Sequence, residues 1–458
     1  MAGPRAAVEA ALQSMRAALP AGPVEALRNA AVRLSGLLSS GGSEAANAAM
    51  DSGCLELLVD AAHAHLGNAE LQRWLLSVLG NVAERCGDAA AAAAVRAGAV
   101  AAVVAGLGAH PGSAEVQRWG LGALRSILEG AGKLGVTAMR AAGGGDVVAA
   151  SLAQHHASNM VQCAGLAVMG CVALEVDDEG EEGKDPSFSA LLGASGVQLA
   201  SAALAEHAGN AEVEARALSA LWALLEADSG SVAEAVQALL DGEGEGIDRM
   251  VRAMQGHLAD CDVQRWGVAA IGALARAGGE CAIPLMVIQG VVEAVASAMK
   301  QLPDVAEVQE RGLGTLVAIA TDGGKEKVQA IVDEGGLEAI QAAIRAHPDN
   351  QQVQSWGDAA MELVLEQLPK KTGVAGEEEE EPGSGASGGI GGGRGHRGDE
   401  ANDEEEDDGA DAASTASAST AVGEAKTEDD EEAATDGKAP TVAEVTVGAL
   451  SDIDDVEL

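Results

Sequence analysis

Val116-Gln117-Arg118-Trp119-Gly120 is a stretch that the chain repeats, in variant copies, along most of its length. The copies are Leu71-Gln72-Arg73-Trp74, Val161-Gln162-Cys163-Ala164-Gly165, Val213-Glu214-Ala215-Arg216-Ala217, Val263-Gln264-Arg265-Trp266-Gly267, Val308-Gln309-Glu310-Arg311-Gly312 and Val353-Gln354-Ser355-Trp356-Gly357. The Trp position falls at 74, 119, 164, 216, 266, 311 and 356, so the step is 45 residues except for 52 and 50 in the middle. A fixed period of this length with a helical unit is the mark of an α-solenoid. Such an array presents a long surface rather than a closed catalytic pocket.

Around the motif, apolar residues at 116, 119, 123, 124, 127 and 128 follow the helical period. Ser113 stands where an N-cap belongs, with Glu115 in the first turn. A glycine stands 21 residues before the Trp position at Gly53, Gly98, Gly143, Gly290 and Gly335, and one place later at Gly196 and Gly246. A left-handed glycine there would end one helix and start the next at a sharp angle. A histidine column, His65, His110, His155, His207, His257 and His347, lies nine before the Trp position, with Leu302 as the exception. Equivalent atoms of adjacent repeats are about 10 Å apart, too far to share one metal ion. The expected role is local: each histidine ends a helix and bonds a free carbonyl. The glutamines are expected to bond a loop or a neighbouring helix end.

Three helices per unit with a glycine between the first two resemble the armadillo repeat. The resemblance rests on Ala97-Gly98-Ala99-Val100, Val104, Leu107, Val116-Gln117, Gly120, Ala123-Leu124 and Ile127-Leu128, and it recurs from about 21 to 368. Val24–Leu38 reads as the last helix of a degenerate first unit. The expected fold is all-α, a right-handed α-solenoid of about eight armadillo-like three-helix repeats, with residues 1–20 a separate helical segment. The two-helix HEAT repeat is disfavoured by the glycine. The resemblance implies that third helices line a concave face. Nuclear-import adaptors of this family carry a Trp and, four residues on, an Asn on that helix. The matching pairs here are Ser77/Asn81, Gly122/Ser126, Ala167/Cys171, Ser219/Ala223, Ala269/Ala273, Gly314/Ala318 and Ala359/Leu363, and only Asn81 fits.

The Trp column (Trp74, Trp119, Trp266 and Trp356, with Arg216 and Arg311 in register) is the candidate partner surface, joined by Arg118 and Arg265. Trp and Arg are the residue types that anchor interfaces. The competing reading packs each Trp between third helices in a chain with no Tyr and Phe188 as its one Phe.

A formal charge of −43 argues against binding nucleic acid through phosphates, which needs clustered Lys and Arg. It keeps an Ala-rich array soluble and admits basic partners. Cys54, Cys86, Cys163, Cys171, Cys261 and Cys281 form no CxxC, so reduced, partly buried thiols are expected. No uninterrupted apolar run reads as spanning a bilayer, and no nucleotide, zinc-protease or esterase signature occurs. Residues 377–458 hold 26 acidic and four basic side chains, and 369–458 is expected to be a disordered acidic tail. Thr427 and Ser451, each followed by acidic residues, are phosphorylation candidates there.

The expected function is non-enzymatic: a scaffold holding a protein segment, basic or extended, along the solenoid's concave face. No cofactor, metal, membrane, nucleic acid or small-molecule substrate is expected. The alternative is a chaperone cofactor of the nucleotide-exchange type, and after it a nuclear-transport adaptor. The cytoplasm is the expected compartment, with the nucleus beside it.

Overall fold

The computed structural model describes residues 3–19, 22–175, 186–227 and 230–367, and every regular element among them is an α-helix. The first repeat is α1 (Pro4–Ala18) and α2 (Val24–Ser40). The second is α3 (Gly42–Asp51), α4 (Cys54–Ala64) and α5 (Ala69–Cys86); the third is α6 (Asp88–Arg96), α7 (Ala99–Ala109) and α8 (Ala114–Ala131). The fourth is α9 (Lys133–Ala141), α10 (Gly144–Gln154) and α11 (Asn159–Glu175); the fifth is α12 (Pro186–Leu192), α13 (Ala194–Glu206) and α14 (Ala211–Glu226). The remaining helices are α15 (Val232–Gly256), α16 (Cys261–Ile288), α17 (Val291–Gln301), α18 (Ala306–Asp333), α19 (Gly336–Ala346) and α20 (Gln351–Gln367).

Three of these are fused pairs. α15 turns at Asp241–Gly244, α16 at Gly279 and α18 at Gly324, so each supplies two helices. With those breaks counted, repeats two to eight each have three helices. The third helices α2, α5, α8, α11, α14, α16, α18 and α20 pack each on the next as one continuous layer.

The recurring Trp-Gly dipeptide has a packing cause. A Cβ built on Gly120 would lie 2.5 Å from the Leu107 side chain, and those on Gly165 and Gly267 would lie 2.6 Å and 2.5 Å from Leu152 and Met254. In repeats three, four, six, seven and eight the last large apolar residue of the second helix fills the space that the glycine of the third helix leaves. Between third helices, a Cβ on Gly80 would lie 3.1 Å from the Ala123 backbone. Small residues thus set the helix spacing, which is how a core with Phe188 as its one buried Phe reaches close packing.

Gly53, Gly98, Gly143, Gly290 and Gly335 have φ of 64°, 84°, 70°, 75° and 81° and form the sharp corners that the sequence implies. Gly196 and Gly246 do not, which corrects the expectation for two repeats: both lie inside helices. They belong to the next column, with Gly144 and Gly336, where the second helix passes close to the end of the first. A Cβ on Gly196 would overlap the Leu191 carbonyl oxygen, and one on Gly246 would lie 2.8 Å from Leu239. In repeat six the corner is made by Gly242, Glu243 and Gly244, all left-handed; Glu243 is the one non-glycine residue with positive φ among the described residues. The insertion at Asp241–Gly246 is therefore a tight corner, exposed at Asp241–Glu243 and buried at Gly244.

The helix within residues 1–20 does not stand apart as the sequence suggests. α1 packs on α2 and α3, burying Val8, Leu12 and Met15 completely. At the other end, α20 places exposed Asp358 and Glu362 where earlier third helices carry buried Leu121 or Leu166 and Gly80 or Gly170. That is the polar outer face of a capping repeat. Cys261–Ile288 is long and apolar enough by length and composition to cross a membrane, contrary to expectation, but it bends at Gly279 and buries Val263, Ile271, Leu274 and Ile283 in the solenoid core. Residues 368–458, with Thr427 and Ser451, and the insertion at 176–185 lie outside the described residues.

Candidate partner-binding surface

Two ladders hold the third-helix layer in place. Each column glutamine is an internal staple. Gln117 Nε2 donates to the carbonyls of Leu107 and His110, both at 2.9 Å, at the end of the second helix. Gln72, Gln162, Gln264, Gln309 and Gln354 repeat the same pair of bonds, to the carbonyls ten and seven residues back. An amide suits the place because one nitrogen supplies two hydrogens to two carbonyls at a helix end.

The histidines cap their helices as expected, and their rings reach into the preceding repeat. His110 Nε2–H donates to Leu66 O at 2.7 Å, His155 to Pro111 O at 2.6 Å, His207 to His156 O at 2.6 Å and His347 to Pro303 O at 2.7 Å. The junction of repeats five and six breaks both patterns. Glu214 replaces the glutamine, is buried, and accepts from Gly209 N–H at 3.3 Å. Its Oε2 lies 2.6 Å from Nε2 of His257, the histidine of repeat six, and neither atom has another partner. Burial pushes the Glu214 carboxyl up, partly offset by the Gly209 N–H and His257.

Trp74, Trp119 and Trp266 are half-buried against the core, while Trp356 is 38% exposed. The guanidinium carbons of Arg73, Arg118 and Arg265 each lie 4.8 Å from the ring centre of the following Trp. Adjacent third helices are also linked by charge: Arg28 with Glu70 at 3.1 Å, Arg73 with Glu115 at 3.6 Å and Arg265 with Glu307 at 3.6 Å. These pairs face solvent and contribute under about 1 kcal/mol each; they set register more than stability.

Trp222 belongs to none of the repeated columns. It lies six residues past the Trp position, where other repeats carry Gly80, Gly170 or Gly272, and that departure is its only signal in the sequence. Its ring centre is 5.1 Å from that of Trp266, with the planes tilted by 40°. Arg311, from the helix beyond, places its guanidinium 5.3 Å from the Trp222 ring and holds Glu307 at 3.1 Å. Trp222, Trp266 and Arg311 thus roof the outer face of α16. The structure joins Trp266, Arg265 and Arg311 of the expected set into this cluster. Trp74 and Trp356 stand apart from it, on α5 and α20.

The outer face of α11 has no roof. Its Trp position is Ala164, and Cys163, Ala167 and Cys171 continue the strip, half-buried. Met160 is 45% exposed where other repeats carry Glu70, Glu115, Glu212, Asp262 or Glu307. Leu174 is 47% exposed where they carry Glu84, Glu129, Glu226, Arg276, Thr321 or Glu366. Burial first, then nearby carboxylates, pushes the Cys163 and Cys171 thiols up to about 12, so the strip is uncharged. Trp119 and Arg118 on α8 and Arg216 on α14 stand on the two helices that pack against it. Of the cysteines, Cys54 is buried and Cys86, Cys163 and Cys171 are half-buried, but Cys261 and Cys281 are exposed, which corrects the expectation of partial burial for those two.

No protein-family model matches the chain, and no curated protein matches it. Solved structures do. The crystal structure of an engineered protein from the Northeast Structural Genomics Consortium is 26% identical, with a TM-score of 0.55, covering 78% of this chain and 88% of that one. A structure from work on a conserved phosphorylation switch in the interaction between cadherin and beta-catenin is 13% identical, with a TM-score of 0.52, covering 80% of this chain and 77% of that one. This chain has an armadillo-like helical repeat fold.

Proposed function

We propose that this protein is a non-enzymatic interaction scaffold of the armadillo type, and that a partner protein lays an extended or helical segment with apolar side chains against α11, between Trp119 and Arg216. The observation that carries the reading is the exposure of Met160 and Leu174 on a third helix, where repeats two, three and five to eight are polar at both places and all but Gln352 and Thr321 are charged. A contiguous apolar strip in a chain of formal charge −43 costs solubility unless something covers it. Arg118 has no carboxylate from α11 opposite it, because Met160 stands there, and is free to bind acidic groups flanking the apolar ones. Over α16 the chain's own Trp222, Trp266 and Arg311 occupy the equivalent space. The cadherin and beta-catenin work concerns a protein–protein interaction of that protein, which favours protein binding in general as the use of this fold.

The test is capture of partners from lysate by the full chain, compared with Met160→Glu/Leu174→Glu and with Trp119→Ala, each also followed by circular dichroism. Both altered residues of the first variant face solvent, so its helical signal and melt should match the wild type while partners are lost. Unchanged partners with an unchanged melt would remove α11 as the binding surface.

A further inference from the structure

Six of the seven column residues at the staple are Gln, a neutral double donor; the seventh, Glu214, is an acid with no hydrogen to give when ionised. In its repeat the carbonyls ten and seven residues back belong to Leu204 and His207, and a carboxylate has no hydrogen to offer either. The substitution also redirects the neighbouring histidine. By the pattern of His110, His155, His207 and His347, the His257 ring would donate to the carbonyl of Ala208. It turns instead to Glu214 Oε2. One change thus replaces proton-independent links with one link whose strength depends on a proton.

We propose that the junction between repeats five and six is a proton-controlled seam, in which a single proton held between Glu214 and His257 locks α14 to the repeat carrying α16. A second proton leaves an imidazolium facing a neutral carboxyl. Loss of the shared proton leaves a buried carboxylate with no cation facing it, held only by the neutral N–H groups of His257 and Gly209. Either change loosens the seam, so it is tightest at intermediate pH. The groups around the pair are otherwise committed. On the α13 side the His207 ring serves His156 O and Glu206 lies 3.7 Å from His156. On the α16 side Asp260 caps the helix through Asp262 N and Val263 N, and Asp262 holds Arg265 at 2.9 Å. On α14 itself, Glu212 is exposed and Arg216 is half-buried. The charged group that acts on the Glu214 carboxyl is His257, and the rise in its proton affinity is due to burial.

The seam sits beneath the roof. Glu214 and Trp222 share α14, while His257 leads directly into α16, which carries Trp266. Loosening the first contact therefore moves Trp222 against Trp266, and Arg311 with it, and opens the covered part of the third-helix face. The proposal does not rest on where a partner binds.

Two rings 5.1 Å apart give an exciton couplet in circular dichroism, and the chain has no Tyr to obscure it. The full chain is titrated from about pH 4 to about pH 9, the range that imidazole and raised carboxyl groups span. The wild-type couplet should rise and fall, with losses at both ends. Trp222→Phe should abolish it and so assign it. Glu214→Gln, which restores the residue found in six other repeats, should keep the couplet at full strength across the range. His257→Leu, the residue that Leu302 supplies in repeat seven, should remove the loss at low pH and lower the couplet at high pH. A wild-type couplet that is flat with pH overturns the proposal, and so does a Glu214→Gln profile that still bends as the wild type does. Should Glu214→Gln not fold, the His257→Leu profile decides alone: bending at both ends refutes the seam, and bending only at high pH supports it.

Discussion

Replacing Gln117 with leucine should unlock one repeat and its neighbour while leaving the distant ones intact. Gln117 is fully buried. Its nitrogen serves Leu107 O and His110 O, and its Oε1 accepts the Ser151 hydroxyl from α10 of the next repeat. Three neutral hydrogen bonds are lost at about 1 kcal/mol each. No partner is orphaned outright: Leu107 O keeps His110 N–H at 3.2 Å, His110 O keeps Ser113 N–H at 3.1 Å, and Ser151 keeps Val147 O at 2.7 Å. Leucine keeps the volume and is easier to bury than an amide by about 1 kcal/mol. The net loss is about 2 kcal/mol, or roughly a 30-fold rise in local opening. A global melt is a poor assay because a repeat array need not unfold in one step. Amide hydrogen exchange reads the effect directly: protection should fall at His110, Ser113 and His155, and stay unchanged at Gln309 and its neighbours in repeat seven. A rise in exchange below about threefold (~0.7 kcal/mol), or one spread evenly over all repeats, would refute the staple as a local lock.

Gly196→Ala should destabilise repeat five by well over the roughly 1 kcal/mol expected of Gly98→Ala, since the first drives a methyl into the Leu191 carbonyl and the second strains mainly a φ of 84°; exchange of α13 and α7 amides compares them. Cys54, Cys163 and Cys171, each pushed up to about 12, should resist alkylation at about pH 8, where roughly one thiol in 10,000 is ionised. The exposed Cys261 and Cys281 should be labelled first, as peptide mass spectrometry would show. Arg311→Ala removes the cation over Trp222 and should cost about 0.5–1 kcal/mol and alter tryptophan emission, whereas the same change at Arg276, an exposed residue paired with Glu226, should leave emission as it was.

The repeat itself is fully legible in the sequence. Val-Gln-Arg-Trp-Gly at a 45-residue step fixes the third helix, and the corners at Gly53, Gly98, Gly143, Gly290 and Gly335 follow from spacing. Gly196 and Gly246 mislead because glycine answers two different demands at neighbouring positions, left-handed φ at one and absence of a side chain at the next. Repeats four and eight carry Gly-Gly there, which hides the distinction. Trp222 escapes notice because it left its column: its meaning is set by Trp266 and Arg311 on other helices, not by its own neighbours. Glu214 is visible as an exception and His257 as an ordinary column member. Their contact, 43 residues apart, requires knowing that each ring points one repeat back. The apolar face of α11 emerges from comparing columns rather than motifs, since Met160 and Leu174 are where polar, mostly charged positions turn apolar.

The backward reach of the histidines gives the array a direction. His110, His155, His207 and His347 each bind a carbonyl that an earlier segment has already displayed, and each glutamine amide nitrogen staples its own repeat. A chain emerging from synthesis with its N-terminus leading is therefore sealed as it grows: each new repeat that carries one of these histidines fastens its predecessor as it arrives. The order of assembly is written into which way a ring points, and a fragment cut from the N-terminal side keeps all the fastenings between its repeats. A fragment cut from the C-terminal side instead begins with a histidine that has nothing to hold.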